Sequence, residues 1–271
     1  MIYKQNLHTH TVFCDGKDTP EEMVLTAIEK GFDSIGFSGH SSMYKASQNG
    51  MSPDGKQSYK DCIYELKAKY ADKIKIFCGI EFDMYSGIDL SGYDYRIGAV
   101  HFFKKNDQII PMDRTSQVVQ DVINDHFGGD GMAYAKFFYE TLCHLPEYGN
   151  FDIVAHFDLL TKHSEKIMFF DENSKEYRNA ALEALSALKG KIPFFEVNTG
   201  AIARGYRTTP YPAPFLMDEF KAMGFGALVT SDCHNREMLD CYYNESYEYL
   251  RAHGFKEIYI LTDNGFSAER I

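Results

Sequence analysis

Two histidines one residue apart, His8 and His10, follow a short apolar start, and an aspartate stands at position 15. Residues i and i+2 of an extended strand share a face, so an HxH pair at a strand end sends both imidazoles into one volume. Two neutral imidazoles in one volume suit a divalent metal. An isolated HxH also has a plainer reading, with one ring in solvent and the other hydrogen-bonded in a loop. The rest of the chain bears on the choice. Runs of strand length end at His8 and His10, then His40, Glu81, His101, His156, and finally Asp232 with His234. Singly, each has a structural alternative: His40 as a helix cap, Glu81 as a surface carboxylate, His101 and His156 as satisfied core histidines, Asp232 and His234 as a turn. Their recurrence at successive strand ends points to one shared site. Imidazoles mixed with carboxylates favour Zn, Mn or Fe over Mg or Ca, which prefer oxygen-only shells.

The elements that position these residues alternate. Strand-like runs are IYKQNLH, DSIGFSGH, IKIFCGIEF, YRIGAVHFF, FDIVAHFD, IPFFEVNTG, GALVTSDCH and EIYILTD. Between the first two lies TPEEMVLTAIEKG, with Thr19 as N-cap, Pro20 at the first helical position, Glu22 completing a capping box and Gly31 closing the helix. Helical patterns recur at SYKDCIYELKAKY, NSKEYRNAALEALSALKG, APFLMDEFKAMG and NREMLDCYYNESYEYLRAHG. Strand–helix alternation of this kind predicts an α/β fold with a parallel sheet or barrel. In a closed parallel barrel the strand ends converge on one face, where such folds place active sites. Residues 107 to 148 are longer than one crossover needs and read as an inserted pair of helices near the site. No repeat or linker-like tract divides the chain, so residues 1–271 read as one domain.

Composition bounds the partners. A 271-residue chain with 44% hydrophobic residues has ample core for one α/β domain. Its formal net charge of -11, from 39 acidic and 28 basic residues, argues against nucleic acid or an anionic membrane as main partner. The sequence shows no apolar run of signal-peptide length and none long enough to span a membrane, so the expected location is cytoplasmic. Six cysteines without a CxxC pair read as free thiols. Cys14 and Cys233 flank the polar clusters, although small buried cysteines are the commoner case. His126, His144 and His253 lie in helical settings that suggest surface or packing roles, while His163 follows the fifth strand closely enough to reach over the site.

The ordered set HTH at 8–10, FSGHS at 37–41, GIEFD at 79–83, IGAVHFF at 97–103, DIVAHFDLLTK at 152–162, EVNTGAIARG at 196–205 and SDCH at 231–234 resembles the polymerase and histidinol phosphatase (PHP) family, in its histidinol-phosphatase branch. The resemblance runs from near the N-terminus to residue 234. It implies an irregular seven-stranded (β/α) TIM-like barrel with two to three divalent ions. Carried over residue by residue, it implies that His8, His10 and Asp232 hold one ion, that Glu81 bridges it to a second held by His101 and His156, and that Asp15, His40 and His234 hold a third. The family often has an acidic residue where this chain has Asn6, and some members differ at the position of Asp15. The eighth run, EIYILTD, is one more than a seven-stranded barrel uses.

The chemistry so implied is hydrolysis of a small phosphate monoester, with water activated by the metals attacking phosphorus in line. Glu81, Asp232 and His234 are the expected catalytic side chains, His234 being one source of a proton for the leaving alkoxide. Arg204 and Arg207 follow the FFEVN strand and match phosphate geometry; Ser41 and Lys162 are further substrate-binding candidates. Glu196 and Asn198 alternate on one side of that strand, where either could orient these groups. The resemblance names L-histidinol phosphate, in histidine biosynthesis, as substrate. Two alternatives stand beside it: another PHP phosphoesterase acting on nucleotides or other small esters, and a non-catalytic metal-binding module. Tyr134, Phe137, Phe138 and Tyr139 in the insertion could wall an imidazole pocket, although such a stripe at helical spacing is more often core.

Overall fold

The computed structural model describes residues 2–41 and 50–271. In chain order, β1 (Gln5–Asn6) leads to α1 (Pro20–Glu29), β2 (Ser34–Phe37), α2 (Pro53–Lys69), β3 (Lys75–Asp83) and β4 (Tyr95–Ala99). A hairpin of β5 (Phe102–Lys105) and β6 (Gln108–Pro111) precedes α3 (Ser116–Phe127) and α4 (Gly131–Cys143). Then come β7 (Ile153–Val154), α5 (Lys175–Leu188), β8 (Phe194–Asn198), the short α6 (Gly200–Ala203), α7 (Pro214–Ala222), β9 (Gly226–Thr230), α8 (Tyr243–Ala252), and a last hairpin of β10 (Glu257–Thr262) and β11 (Gly265–Arg270).

Local chemistry sets these boundaries. Thr19 and Glu22 make the reciprocal capping box at the start of α1, Pro20 opens it, and Gly31 follows its end at φ +68°. Asp130 caps α4 by accepting from the amides of Met132 and Ala133. The β5–β6 turn places Asn106 and Asp107 both at positive φ (50° and 61°), the conformation that a two-residue hairpin turn requires and that Asn and Asp tolerate. The segment 107–148 thus contributes a strand as well as two helices.

Seven strands form one parallel sheet in the order β1-β2-β3-β4-β7-β8-β9. Beyond the last strand, Thr9 pairs with Cys233 in parallel, and the His10 amide donates to the Cys233 carbonyl at 2.9 Å. The sheet therefore curls into a nearly closed barrel. EIYILTD stays outside it as β10, antiparallel to β11. This hairpin is tied to the barrel floor by Gln5, whose side chain donates to the Leu261 carbonyl at 2.9 Å and accepts the Leu261 amide at 2.7 Å.

The barrel interior is divided by polarity. Its lower part packs Leu7, Phe77, Tyr95, Ile97, Ile153, Leu228 and Leu261. Tyr95 fills the centre because Gly36 and Gly79 leave room: a Cβ on Gly79 would lie 2.2 Å from its ring. Each such buried side chain contributes about 1.5–3 kcal/mol relative to exposure, and this apolar floor carries the polar upper layer. A larger core lies between barrel and helices. Tyr134, Phe138 and Tyr139 belong to it, and the Tyr134 hydroxyl donates to the Met112 carbonyl at 3.0 Å.

Candidate metal centre

Past the C-terminal ends of the strands, the side chains picked out in sequence converge. His8 and His10 extend from β1, His40 from β2, Glu81 lies in β3, His101 follows β4, His156 follows β7, and Asp232 with His234 follows β9. Asp15 comes from the loop before α1. Gly16 holds that loop against His10: a Cβ there would meet the His10 backbone at 2.5 Å. Asp232 adopts φ +45°, an uncommon conformation for a residue other than glycine, and so turns its carboxylate under the site directly after β9.

Glu81 is the centre of this arrangement. Its Oε2 lies 2.7 Å from His40 Nδ1, 3.3 Å from His8 Nε2 and 3.5 Å from His10 Nε2, and its Oε1 lies 3.0 Å from His156 Nε2 and 3.6 Å from His101 Nε2. Asp232 Oδ1 is 3.2 Å from His10 Nε2, and Asp15 Oδ1 is 3.3 Å from His234 Nε2 and 3.7 Å from His40 Nε2. Donor atoms close enough to share a cation form four groups: His8, His10 and Asp232; Glu81, His101 and His156; His10, Asp15, His40 and His234; and His40, Asp83 and His101.

Hydrogen bonding on the far side of each ring fixes what it offers inward. His8 Nδ1 donates to Glu196 Oε2 at 2.8 Å, and His101 Nδ1 to Asp83 Oδ1 at 2.6 Å, so both turn Nε2 to the centre as the nitrogen a metal would take. His234 Nδ1 lies 3.1 Å from both the Asp232 carbonyl and Arg204 Nη1, and its Nε2 faces Asp15 Oδ1 at 3.3 Å. His101 Nε2 and His156 Nε2 stand 3.2 Å apart, within hydrogen-bond distance, and His156 Nε2 also lies 3.0 Å from Glu81 Oε1.

Five buried atoms, His8 Nε2, His10 Nε2, His40 Nδ1, Asp15 Oδ1 and Glu81 Oε2, have no hydrogen-bond partner although all point into this volume. For His40 Nδ1, the 2.7 Å approach to Glu81 is close enough for an ion pair but lacks hydrogen-bond alignment. Buried polar atoms are rarely left unpaired. Buried nitrogen and carboxylate oxygen atoms that converge without hydrogen-bond partners are the arrangement that a divalent cation completes, and these residues fit one.

The electrostatics agree. Burial alone would raise the Glu81 carboxyl, but His40, His8 and His101 hold it well below the usual carboxylate range. Burial opposes Asp232 likewise and is overcome by Arg204 and His8. Burial would lower His101, yet Asp83 and Glu81 raise it to about 9; Glu196, Glu81 and Asp232 likewise raise His8. His10 is pushed down to about 3 by burial and by the neighbouring His234 and His40. The carboxylates thus remain anionic where cations are to sit.

The cluster forms the floor of a cavity of about 340 Å³ walled by Phe102, Pro111, Asp113, Leu159, Lys162, Arg204 and Tyr206 among others. Arg204 reaches over Asp232, with Nη2 3.0 Å from Oδ2 and Nη1 2.9 Å from the carbonyl, and Nη1 lies 3.1 Å from His234 Nδ1. Lys162, also on the wall, pairs with Asp113 at 3.1 Å.

Two expected substrate-binding residues are placed elsewhere. Arg207 is buried away from the cavity, stacked on Tyr211 and donating to the Thr161 carbonyl at 2.9 Å and to Thr209. The chain leaves α6 at Ala203 and turns through Gly205 at φ +70°, after which the Arg207 guanidinium lies near buried Asp158 instead of in the cavity. Ser41 is fully buried, and its hydroxyl accepts the Asp83 amide at 2.8 Å, which holds the β2–β3 loop against β3. His163 contacts the Arg114 carbonyl and the Tyr206 ring behind the wall. His144 and His253 pair with Glu147 and Asp218 outside the site. Cys14 Sγ lies 3.4 Å from His10 Nδ1, and Cys233 contributes its backbone; both are free thiols.

Sequence reasoning missed Asp83 and Asp113. Asp83 had a readable signal, since it stands two residues after Glu81 on the same strand and faces the same side. Asp113, in a loop after a hairpin, carries no periodic signal. Asn6 is explained by the structure: its amide nitrogen donates to Ser231 Oγ at 2.6 Å and the Leu239 carbonyl at 3.0 Å, while its oxygen accepts the His8 amide at 3.1 Å.

The PHP domain family model matches residues 6–200. A histidinol-phosphatase of Lactococcus lactis subsp. lactis is 25% identical over 85% of this chain and 84% of its own length. A structure of histidinol phosphate phosphatase from Lactococcus lactis subsp. lactis, complexed with zinc, L-histidinol and phosphate, superposes with a TM-score of 0.74 at 21% identity, covering 98% of this chain and 100% of that one. A structure from Listeria monocytogenes superposes with a TM-score of 0.75 at 20% identity, over 89% of this chain and 99% of the other.

Proposed function

Because this chain belongs to the PHP domain family, we propose that it is a metal-dependent phosphomonoesterase that hydrolyses L-histidinol phosphate to L-histidinol and phosphate in histidine biosynthesis. The observation that carries the metal chemistry is the set of five unpartnered buried donor atoms around Glu81. The substrate rests on the histidinol-phosphatase relatives and on the neighbour that holds zinc, L-histidinol and phosphate.

In this reading two to three divalent ions, Zn, Mn or Fe by the character of the donors, are held by His8, His10, Asp15, His40, Glu81, His101, His156, Asp232 and His234. When bound, such ions polarise phosphoryl oxygens and make hydroxide available near neutral pH. The protein supplies position and charge. His10, His40 and His101 are each shared between two ligand groups, and Glu81 approaches all three of these rings, which holds the groups in one frame; Glu196 and Asp83 fix the ring orientations of His8 and His101. Arg204, over Asp232 on the cavity wall, orients the phosphate, and Lys162 lines the same cavity as a second cation. His234, on the same wall, would hold the third ion when three are bound and, with only two bound, is the residue assigned to protonate the leaving alkoxide.

The protein is read as acting in the cytoplasm on a small ester rather than on nucleic acid; no helix among the described residues is long and apolar enough to cross a membrane. The test is metal analysis of the purified protein coupled to phosphate release from L-histidinol phosphate. Two to three divalent ions per chain with saturable release are expected. The same metals without release would discard the substrate, and a metal-free active protein would discard the site.

A further inference from the structure

Beside the Arg204–Asp232 pair, the cavity wall holds a second ion pair whose carboxylate the reaction at phosphorus does not call for. Four carboxylates line the cavity among the described residues: Asp15, Asp83, Asp113 and Asp232. Asp15 and Asp232 belong to the ligand groups, and Asp83 accepts from His101 Nδ1. Asp113 instead pairs with Lys162 at 3.1 Å, both side chains keeping a small exposed face toward the cavity. Burial opposes the charge of Asp113, but Lys162 and then His101 offset it and hold the carboxyl at about 2. It is an anion on the wall of a site built to take an anion.

A phosphate monoester alone would be repelled there, whereas an ester that carries its own cation would not. L-Histidinol phosphate bears a primary ammonium on the carbon next to the ester carbon. Such a zwitterion matches the Lys162–Asp113 pair with exchanged partners: the phosphate takes Lys162, and the ammonium takes Asp113. No charge is left unpaired when the pair opens, so the exchange avoids the penalty of an orphaned buried ion. We infer that Asp113 is a specificity residue that recognises the ammonium group of the substrate, with Lys162 as its partner in the free enzyme. The inference rests on the proposed histidinol-phosphatase reading and adds the group that selects for the amine.

The experiment compares the metal-loaded enzyme on L-histidinol phosphate and on its des-amino analogue, imidazolylpropyl phosphate, which keeps the imidazole and the ester. A charge-assisted hydrogen bond predicts that the wild type prefers the amine-bearing ester by about 10- to 100-fold in kcat/KM, mainly through KM. In Asp113→Asn that ratio is expected to collapse toward one, and L-histidinol should lose its advantage over imidazolylpropanol as a competitive inhibitor. Asp113→Ser provides a second neutral side chain should the amide misfold. Equal turnover of both esters by the wild type, or an unchanged preference in the variants, overturns the inference. Release from p-nitrophenyl phosphate but from neither imidazole ester is a separate outcome: it sinks the substrate reading, and the ammonium site with it.

Discussion

Glu196→Gln separates holding a metal ligand from holding the fold. The Glu196 carboxylate accepts four hydrogen bonds, two on each oxygen: Oε2 from His8 Nδ1 and Thr230 Oγ1, both at 2.8 Å, and Oε1 from the His156 amide at 2.8 Å and Asn198 Nδ2 at 2.7 Å. Glutamine keeps the shape but replaces one acceptor with a donor. With its NH2 toward His156 and Asn198, two charge-assisted bonds to fixed donors are lost, at about 3–6 kcal/mol in total. With its NH2 toward His8 and Thr230, the hydroxyl can rotate to accept, and His8 can accept at Nδ1 by moving its proton to Nε2. The second orientation is cheaper for the fold and is therefore the expected one. It places a proton on the nitrogen that faces Glu81 and Asp232. Loss of such a supporting bond typically lowers metal affinity about 10- to 100-fold, or about 1.4–2.7 kcal/mol. The assay is competition for zinc against a chromophoric chelator, with thermal unfolding measured in excess chelator alongside. Weaker binding with a nearly unchanged metal-free melting temperature is the expected pair of results. Wild-type zinc affinity in the variant would refute the argument that Glu196 sets the His8 tautomer.

Gly200→Ala inserts a methyl 2.7 Å from Asp232 Oδ2 and 2.8 Å from Arg204 Nη2, so it is expected to part that pair and lower kcat/KM on the order of 100-fold while the fold persists; full activity would show that the Arg204–Asp232 contact is dispensable. Arg207→Met should instead lower stability by at least about 2 kcal/mol, because buried charged hydrogen bonds are lost, or about 4–8 °C in Tm, with KM for the ester unmoved; a raised KM at unchanged Tm would restore Arg207 to the substrate site. Metal uptake is expected to strengthen with pH. His101 is raised to about 9 and His8 is raised as well, so at neutral pH the metal-free protein carries protons there that a cation must displace. For His101 in the metal-free fold the stabilising contribution has the opposite trend, being full below its ordinary value and lost as pH rises through about 9. Calorimetric titrations in buffers of different ionisation enthalpy should register proton release, and an apparent affinity equal at about pH 6 and pH 8 would contradict the assignment.

The legible part of this molecule is what periodicity and strand ends encode. Because parallel strands deliver their C-terminal residues to one face, a list of polar residues at strand ends, from His8 to His234, was already a spatial statement, and the structure brings those side chains within reach of one another. The capping box of α1 was equally readable, since Thr19 and Glu22 need only their local spacing. What escaped depends on rotation about a turn or on loop geometry. Arg204 and Arg207 are equivalent in sequence, yet one looks into the cavity and the other is buried behind it. The strand-like run YRIGAVHFF conceals a break at Val100–His101, after which Phe102 begins a hairpin rather than continuing the barrel. Ser41 was chosen for its hydroxyl, which the backbone of Asp83 already occupies.

The same balance explains why an acidic chain can receive a phosphate. The net charge of -11 belongs to the surface as a whole, whereas the ester meets only the cavity. There, Asp15, Glu81, Asp83 and Asp232 bring four negative charges into the ligand groups; two divalent ions would offset them and three would leave the floor cationic by two charges. Arg204 and Lys162 add to that sign at the wall, and Asp113 subtracts from it on one side only. A field that is positive toward the floor and negative at one wall does not favour a simple anion over every other ligand. It favours a small molecule whose phosphate and ammonium are separated in the same sense. A polyanion would bring no cation to satisfy Asp113.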